Sequence, residues 1–549
     1  MGKTTTEYKS EPLRLRETVL TIAAPGSSLC LPSPGTRVPP HDRLFPYFSG
    51  RVIMEIPIIL IFARKTSFFH PRSSEKILTN FPVCCTILQY GCKDASGNVP
   101  IRVFASFPFE NRPDFGMIPF FGGQAMGNCA IVGINWGDEG KGRMVDLLTE
   151  KYDVVVRYQD GGNAGHTVIN EYGKFALHLL PSGIFRKGVV NVLGNGVALD
   201  PENLWKEMCE ITGKGVPLTP ENLKISDRAS LLMPWHRDLD GLEEARLADK
   251  KFGSTKQGIA PFYADKFSKK TILAGELLYP EHLKAHLADL LEWKNLTLTR
   301  VYGAEPVTMA QLEVWLNDYC EKIKPYVCDT GIFLRDAQAA GKNILFEAQL
   351  GALRDLDYGI HPYTTSSNPI AAYAPVGSGM PNVKIDEVVG VVKAYSSCVG
   401  EGPFTCEMFG EEAHALREAG FEYGAKTGRP RRVGPIDIVA TRYGVRCQGA
   451  TSIALTKMDV MGYMDKIPVC ARYEVNGEMT DEFPFPVLLA DAKPVIEYLE
   501  GWKCDISGIR RWEDLPEAAR KYVEYVEEKI GCPIRFVSVG PERDSMIYR

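Results

Sequence analysis

Four short strings carry residue types whose spacing suits chemistry on phosphates. The first, Gly133 to Gly142, reads GINWGDEGKG and sets Asp138, Glu139 and Lys141 among glycines. It follows an apolar run, CAIVGI from Cys129 to Ile134, and precedes RMVDLLTE, whose apolar residues fall at helical spacing. The order is strand, turn, helix. At such a junction the free amides and positive dipole end of the first helical turn attract an anion, and glycines let the backbone approach it. The spacing is not that of a Walker loop. Asn135 stands where the first glycine would fall, and Gly142 stands where a Ser or Thr would follow Lys141. A tight turn that only joins two elements is the plain alternative.

The second string, YQDGGNAGHT from Tyr158 to Thr167, puts His166 among small and amide residues just past a strand ending near Arg157. An imidazole titrating near neutrality can give a proton to a developing phosphate or oxyanion charge. The bland reading is a histidine satisfied within its loop. The third is TKMD, Thr456 to Asp459. The stem of Lys457 can lie along a purine ring, and Asp459 can accept from the N1–H and exocyclic amine of guanine, which rejects adenine. Alone, this string reads better as a surface turn, and its weight comes from sharing a chain with a phosphate loop. The fourth, GAKTGRPRR from Gly424 to Arg432, interleaves arginines with Gly and Pro. Guanidinium forks match carboxylates and phosphates, and the glycines suit a loop that closes over them; a solvated basic loop is the alternative. Two further strings, FEAQLGALRDLDYG (Phe346 to Gly359) and PYTTSSN (Pro362 to Asn368), read as amide- and hydroxyl-rich loops, though hydroxyl clusters often only cap helices.

These strings need a frame. From Met126 onward apolar runs alternate with amphipathic stretches, the pattern of an α/β protein with a large, mostly parallel central sheet flanked by helices, a P-loop-NTPase-like nucleotide site and small peripheral subdomains. Strands are expected at 153–157, 189–193, 343–346, 387–394, 452–456 and 534–538. Helices are expected at 281–293, 308–323, 330–340 and 516–529. One more helix is well marked, with Asp200 as N-cap, Pro201 at the first helical position, Glu202 in the first turn, and Leu204, Met208 and Ile211 on one face. Asn476-Gly477 reads as a hairpin turn at the sheet's periphery. In open α/β sheets ligands bind beyond the carboxyl ends of the strands, where the first two strings would sit.

Composition bounds the rest. With 549 residues, 45% hydrophobic and 24% charged, the chain can bury a large core. Residues 1–125 hold 14 Lys/Arg against 9 Asp/Glu, and the remainder holds 49 against 59, so the body is acidic. That argues against a broad nucleic-acid surface but allows a local anion pocket. Fourteen cysteines without paired CxxC spacing indicate neither a zinc framework nor a disulfide framework, and a reducing compartment is the simpler reading. The nearest approach to a membrane span, VIMEIPIILIFA from Val52 to Ala63, is short and broken by Glu55 and Pro57, so a soluble protein is expected. Residues 1–125, rich in Pro, Ser and Phe, are expected to be a poorly ordered extension; a transit segment or a true start at Met126 are both open, and Glu7, Glu11 and Glu17 speak against the former.

Taken in order, WGDEGKG, NAGHT, LLPSGI, GNGV, TSSN, KAYSS, GEGPFT, TGR, TKMD and VGPERD resemble the adenylosuccinate synthetase family across Met126 to Arg549. The resemblance implies a ligase for IMP, L-aspartate and GTP that yields adenylosuccinate, GDP and phosphate in AMP biosynthesis, with Mg²⁺, as a cytoplasmic homodimer without nucleic-acid or membrane partners. By the same resemblance, Asp138, His166 and Gln349 are catalytic. Gly137, Glu139, Gly140, Lys141, Gly142, Gly165, His166, Thr167, Arg431, Lys457, Asp459, Ser538 and Gly540 would bind GTP. Asp138, Asn163, Thr255, Lys269, Leu350, Thr365 and Arg429 would contact IMP. The loop Ala425, Lys426, Thr427, Gly428, Arg429 and Arg431 would clamp aspartate. Asp138 and the Gly165 carbonyl would hold the metal.

Several positions depart from the family pattern. The usual FEGAQG is FEAQLG, which sets Leu350 where the catalytic glutamine stands and Gln349 one residue early. Asp160 replaces a glycine near a phosphate site, Lys269 replaces an arginine, and Pro430 interrupts the arginine run. Leu350 and Asp160 motivate a second reading, a catalytically impaired GTP- and IMP-binding homologue. A regulatory GTPase is a third reading, disfavoured by the missing Walker spacing.

Overall fold

All six apolar runs expected to be strands form strands, with ends within a residue or so of expectation. The computed structural model describes residues 127–163, 165–250, 252–424 and 428–549. The expected extension 1–125 and the clamp residues Ala425, Lys426 and Thr427 lie outside them. In spatial order the ten-stranded sheet runs Met546–Tyr548, Ile534–Ser538, Ser452–Thr456, Glu387–Lys393, Cys129–Gly133, Ile344–Glu347, Val154–Arg157, Val190–Leu193, Leu223–Ser226 and Val327–Cys328. Every neighbouring pair is parallel except the first, which is antiparallel. Parallel strands are covered on both faces, which is why these runs are continuously apolar rather than alternating. Cys129–Gly133 and Ser452–Thr456 are buried along their whole length.

Cys129–Gly133 is where the winding changes direction, with Ile344–Glu347 on one side and Glu387–Lys393 on the other. The crevice beyond its carboxyl end is therefore the expected ligand site, and the loop beginning at Ile134 opens into it. Both neighbours of this central strand, and the strand Val154–Arg157 next in line, end in a charged residue that is nonetheless buried: Glu347, Lys393 and Arg157.

The marked helix forms as Pro201–Gly213. Asp200 caps it by accepting from the Asn203 amide at 3.1 Å, and Leu204, Met208 and Ile211 are buried. Full burial of such side chains is worth roughly 1.5–3 kcal/mol each. The stretch expected as one helix from Thr308 starts with a Thr308/Gln311 capping box but changes pitch: Met309–Trp315 passes through a π turn, Leu316–Cys320, before Glu321–Ile323. Asn476 and Gly477, both at positive φ, turn the expected hairpin between Lys466–Val475 and Glu478–Thr480. That hairpin belongs to a separate sheet rather than to the edge of the main one. Lys466–Val475 pairs in parallel with Arg432–Asp437 and antiparallel with Lys493–Glu500. No helix among the described residues is long and apolar enough to cross a membrane.

Candidate functional site

The glycine loop owes its shape to one inward carboxylate. Glu139 accepts from the Asn135 and Gly137 amides at 3.1 and 2.8 Å and pairs with Lys141 Nζ at 2.7 Å. Thr456 Oγ1 donates to the Glu139 carbonyl at 2.7 Å and ties the loop to the end of the strand Ser452–Thr456. Gly137, Asp138 and Gly140 all have φ between 60° and 107°, a backbone region that glycine adopts freely and aspartate tolerates. The turn aims Asp138 outward. Its side chain is 30% exposed, and Oδ2 meets Arg431 Nη2 at 3.0 Å. Lys141 and Gly142 open the helix Lys141–Leu148. A Cβ on Gly142 would lie 2.6 Å from His166 Cβ, so glycine is what lets His166 reach the start of this helix.

His166 begins a hairpin formed by His166–Asn170 and Gly173–Leu177. Its Nδ1 lies 2.5 Å from Glu347 Oε1, while Ser182 donates to Glu347 through its amide at 2.8 Å and its hydroxyl at 2.6 Å. With these donors and the buried Arg157 near it, Glu347 remains a carboxylate despite burial. Burial lowers the imidazole's pKa, so His166 is neutral with Nδ1–H toward Glu347 and Nε2 buried without a hydrogen-bond partner. Gly165 packs against the His178 ring, and Thr167 faces solvent.

A second carboxyl lies deeper. Asp160, at φ 63°, is fully buried, and its Oδ1 accepts from Thr365 Oγ1 at 3.1 Å. Its amide donates to Tyr263 Oη at 3.0 Å, and Tyr263 donates onward to the Gly196 carbonyl at 2.7 Å. Burial pushes the Asp160 carboxyl up to about 6 against the pull of Asn163 and Thr365 hydrogen bonds and the Arg157 charge. Asn163 turns back to accept from the Gly161 amide at 3.2 Å. Thr255 is exposed, on a loop whose Gln257 reaches Asn203 beside Gly162 and whose Gly253 abuts Glu401. Arg429 meets that same Glu401 at 3.3 Å. Asn163, Thr255, Thr365 and Arg429 thus sit on neighbouring loops. Lys269 stands apart, exposed just past the end of the helix Ile259–Phe267.

The strand part of the FEAQLG segment pairs with the central strand as far as Glu347, opposite Ile131. Gln349 is fully buried. Its Nε2 donates to the His178 carbonyl at 2.9 Å, its amide donates to Gln159 Oε1 at 3.1 Å, and its Oε1 has no hydrogen-bond partner. Leu350, at φ 55°, is the residue that lies against Gly137, beside Asp138.

The arginine loop closes on a buried acid that sequence reasoning missed. Arg431 Nη1 pairs with Glu422 at 2.8 Å, Lys393 Nζ reaches the same carboxylate at 2.8 Å, and Tyr395 Oη donates to it at 2.5 Å. Burial would raise the Glu422 carboxyl, but Lys393, Arg431 and Lys457 hold it at about 2. Arg431 therefore bridges Glu422 to Asp138. Gly428 turns at φ 64°, and Arg432 points away to Glu407.

Lys457 and Asp459 follow the Ser452–Thr456 strand, and Ser538 ends the adjacent parallel strand. Lys457, at φ 67°, donates to the Gly420 carbonyl at 2.7 Å, and burial raises the Asp459 carboxyl. Ser538 donates to the Gly540 carbonyl at 3.1 Å and accepts from Arg143 Nη1. Arg143 also reaches the Glu542 carbonyl at 2.5 Å, fastening the 538–542 loop to the glycine-loop helix. Sequence reasoning read this helix only for its apolar spacing and did not single out Arg143.

The glycine loop, the buried imidazole, the Lys457/Asp459 pair and the arginine loop all gather at the carboxyl edge of one parallel sheet. That combination defines a nucleotide-dependent group-transfer enzyme. The adenylosuccinate synthetase family model matches residues 130–547. The adenylosuccinate synthetase of Caldanaerobacter subterraneus subsp. tengcongensis is 45% identical over 423 residues, covering 77% of this chain and 99% of that relative. That of Halothermothrix orenii is 44% identical over 425 residues, with the same coverages. The solved structure of fully ligated adenylosuccinate synthetase from Plasmodium falciparum superposes with a TM-score of 0.73 at 34% identity, over 77% of this chain and all of that one. The chain belongs to the adenylosuccinate synthetase family, GTP-dependent ligases that join L-aspartate to IMP on the route to AMP.

Proposed function

We propose that this chain makes adenylosuccinate by way of 6-phosphoryl-IMP, with Asp138 as the base and His166 as the group that meets the transferred phosphoryl. The observation carrying this reading is the pairing of an outward carboxylate, Asp138, with a buried imidazole whose Nε2 lacks a partner, on loops that meet at Gly142. As a carbonyl oxygen, O6 of IMP cannot leave. In this reading Asp138 takes the N1 proton, O6 attacks the γ-phosphorus, and GDP departs while His166, taking up a proton on Nε2 as the phosphates bring negative charge beside it, donates from Nε2 to the moving phosphoryl. The amine of aspartate then adds at C6, and phosphate leaves with the former O6. Glu347 keeps the imidazole oriented throughout. Arg431, which pairs with Asp138, is also the guanidinium that an aspartate carboxylate would compete for.

Mg²⁺ belongs to this reading, because Asp138 and the Gly165 carbonyl are hard oxygen donors and the Asp138 carboxylate is exposed enough to exchange Arg431 for a cation. Bound there, the ion would supply charge to offset the phosphates. Lys141, the amides of Gly140 and Gly142, and Thr167 would take GTP phosphates, and Lys457, Asp459, Ser538 and Gly540 would take guanine. Asn163, Thr255, Thr365, Arg429 and Lys269 would take IMP. A cytoplasmic homodimer completes the reading, and light scattering on the purified chain tests the dimer. The activity is tested by following adenylosuccinate formation from IMP, aspartate and GTP with Mg²⁺. Absence of product with all four present would refute it.

A further inference from the structure

Away from the nucleotide loops, three metal-ligating side chains converge at the start of the helix Pro280–Leu296. Glu276 lies on the preceding turn, Ala274–Leu278, and its Oε1 is fixed by the Leu273 amide at 2.8 Å. Its other oxygen, Oε2, faces two histidines of the following helix, with His286 Nδ1 at 2.7 Å and His282 Nε2 at 3.3 Å. His282 and His286 are four residues apart, so both rings stand on one helix face, and their centroids are 5.9 Å apart. One nitrogen from each ring and a carboxylate oxygen all lie within 4.8 Å of one another. Zinc bonds to imidazole nitrogen and carboxylate oxygen are ~2.0–2.2 Å, which puts tetrahedral ligands ~3.3 Å apart, so the three atoms surround a point from which one ion could reach all of them after small side-chain rotations.

We propose that Glu276, His282 and His286 form a binding site for a zinc-class divalent cation, separate from the ligase site. The donor set sets the class of ion. Two imidazoles and one carboxylate suit borderline ions such as Zn²⁺, Co²⁺ and Ni²⁺, whereas Mg²⁺ and Ca²⁺ want oxygen. Exposure rises outward from the root of the cluster: the side chain of Glu276 is 13% exposed, His286 31% and His282 67%. The ion would therefore sit at the surface with a fourth position open to water. It would fasten the Ala274–Leu278 turn to the first turns of the helix, a structural rather than catalytic duty. None of the three residues belongs to the nucleotide-binding loops, so ligase activity should not depend on them.

The test uses the full chain, stripped with a chelator and titrated with Zn²⁺ against a chromophoric competitor, beside His282→Ala and His286→Ala. Wild type should bind one equivalent more than either variant, and saturating Zn²⁺ should raise its Tm by roughly 3 °C with no such rise in the variants. Because other cysteines and acids can also take zinc, the difference between chains is the measured quantity. Co²⁺ added to wild type should give a visible d–d spectrum without thiolate charge transfer. Equal stoichiometry in wild type and His286→Ala, or a thiolate-type Co²⁺ spectrum common to all three chains, would overturn the site and leave Glu276 and the histidines as plain hydrogen-bonding partners. Adenylosuccinate formation, measured alongside, should be the same in all three chains.

Discussion

Replacing Asp160 by asparagine should stabilise the protein above pH 6 and tighten IMP binding, and both effects can be sized from the site. Asparagine keeps an oxygen for Thr365 and tolerates the positive φ of this position. The Asp160 carboxyl rises from 3.8 to about 6, chiefly because it is wholly buried. A raised acid means that the folded chain holds the proton more tightly than the unfolded one. The wild type therefore bears no penalty below about pH 4, loses stability as pH rises through about 4 to 6, and carries a cost of about 3 kcal/mol above that. Urea melts of both chains at about pH 4.5 and 7.5 should show a gap that opens with pH toward that figure. Binding adds a second effect. Thr365 Oγ1 is 3.1 Å from Asp160, so a nucleotide phosphate bonded to that hydroxyl comes within ~5 Å of the carboxyl. Two unit charges at that distance repel by about 3 kcal/mol at an effective dielectric of ~20. IMP binding should then drive a proton onto Asp160, which calorimetry in two buffers of different ionisation enthalpy would register. The KM for IMP at about pH 7.5 should fall ~10- to 100-fold in the variant. Stability and KM profiles that run parallel in the two chains would refute both the titration and the placing of the phosphate beside Thr365.

Asp138→Ala should abolish turnover with the Tm within about 1 °C of wild type, because the side chain is partly exposed and pairs with a half-buried arginine, Arg431, that keeps its Glu422 partner; retained kcat would remove it from the base role. Asp459→Asn should raise the KM for GTP ~10- to 100-fold through loss of a charge-assisted pair on guanine while leaving the KM for IMP alone, and equal effects on both would sink the guanine assignment. Leu350→Gln puts an amide against Gly137 beside Asp138. If Gln349 fills the catalytic glutamine's role from its own position, kcat should change less than about twofold, and a tenfold rise would transfer that role to position 350. Glu422→Gln leaves Lys393 and Arg431 without their buried counter-charge and should cost about 3–5 kcal/mol in denaturant melts. Glu422 is held at about 2, below its unfolded 4.5, so the wild type's share of that stability is present above about pH 4.5 and is lost as pH falls toward 2.

The frame was legible because its signals are local. An apolar run such as Ser452–Thr456 needs only its own composition to read as a buried parallel strand, and Asp200-Pro201 marks a helix start within two residues. The π turn at Leu316–Cys320 was not legible, because nothing in LNDYC breaks helical periodicity and the wider turn is a matter of packing. At the site the loops could be read but the partnerships inside them could not. The glycine loop announces a phosphate turn, yet only the folded chain shows Glu139 turned inward onto the Gly137 amide, a contact that leaves Asp138 facing out.

A signal for the missed partners was nevertheless present. VVVR, ILFE and EVVGVVK each close an apolar strand with a charge, and a charged residue in a doubly covered sheet is tolerable only if something at the strand's end meets it. Lys393 meets Glu422, Glu347 meets His166 and Ser182, and Arg157 lies among the His178 and Leu180 carbonyls with the carboxylates of Glu347, Glu207 and Asp160 around it. Charge at the carboxyl end of an inner strand thus points to the crevice where ligands bind, and it does so without reference to any motif. The same edge holds buried atoms that make no hydrogen bond among the described residues, His166 Nε2 and Gln349 Oε1. An unmet buried polar atom costs roughly 1–3 kcal/mol, so two at one edge mark where a ligand has most to gain. Ligands that satisfy them recover that cost on binding. This accounts for a site whose residues are poorly satisfied by one another and whose supporting shell, Glu347 with Ser182 and Glu422 with Lys393, is satisfied throughout.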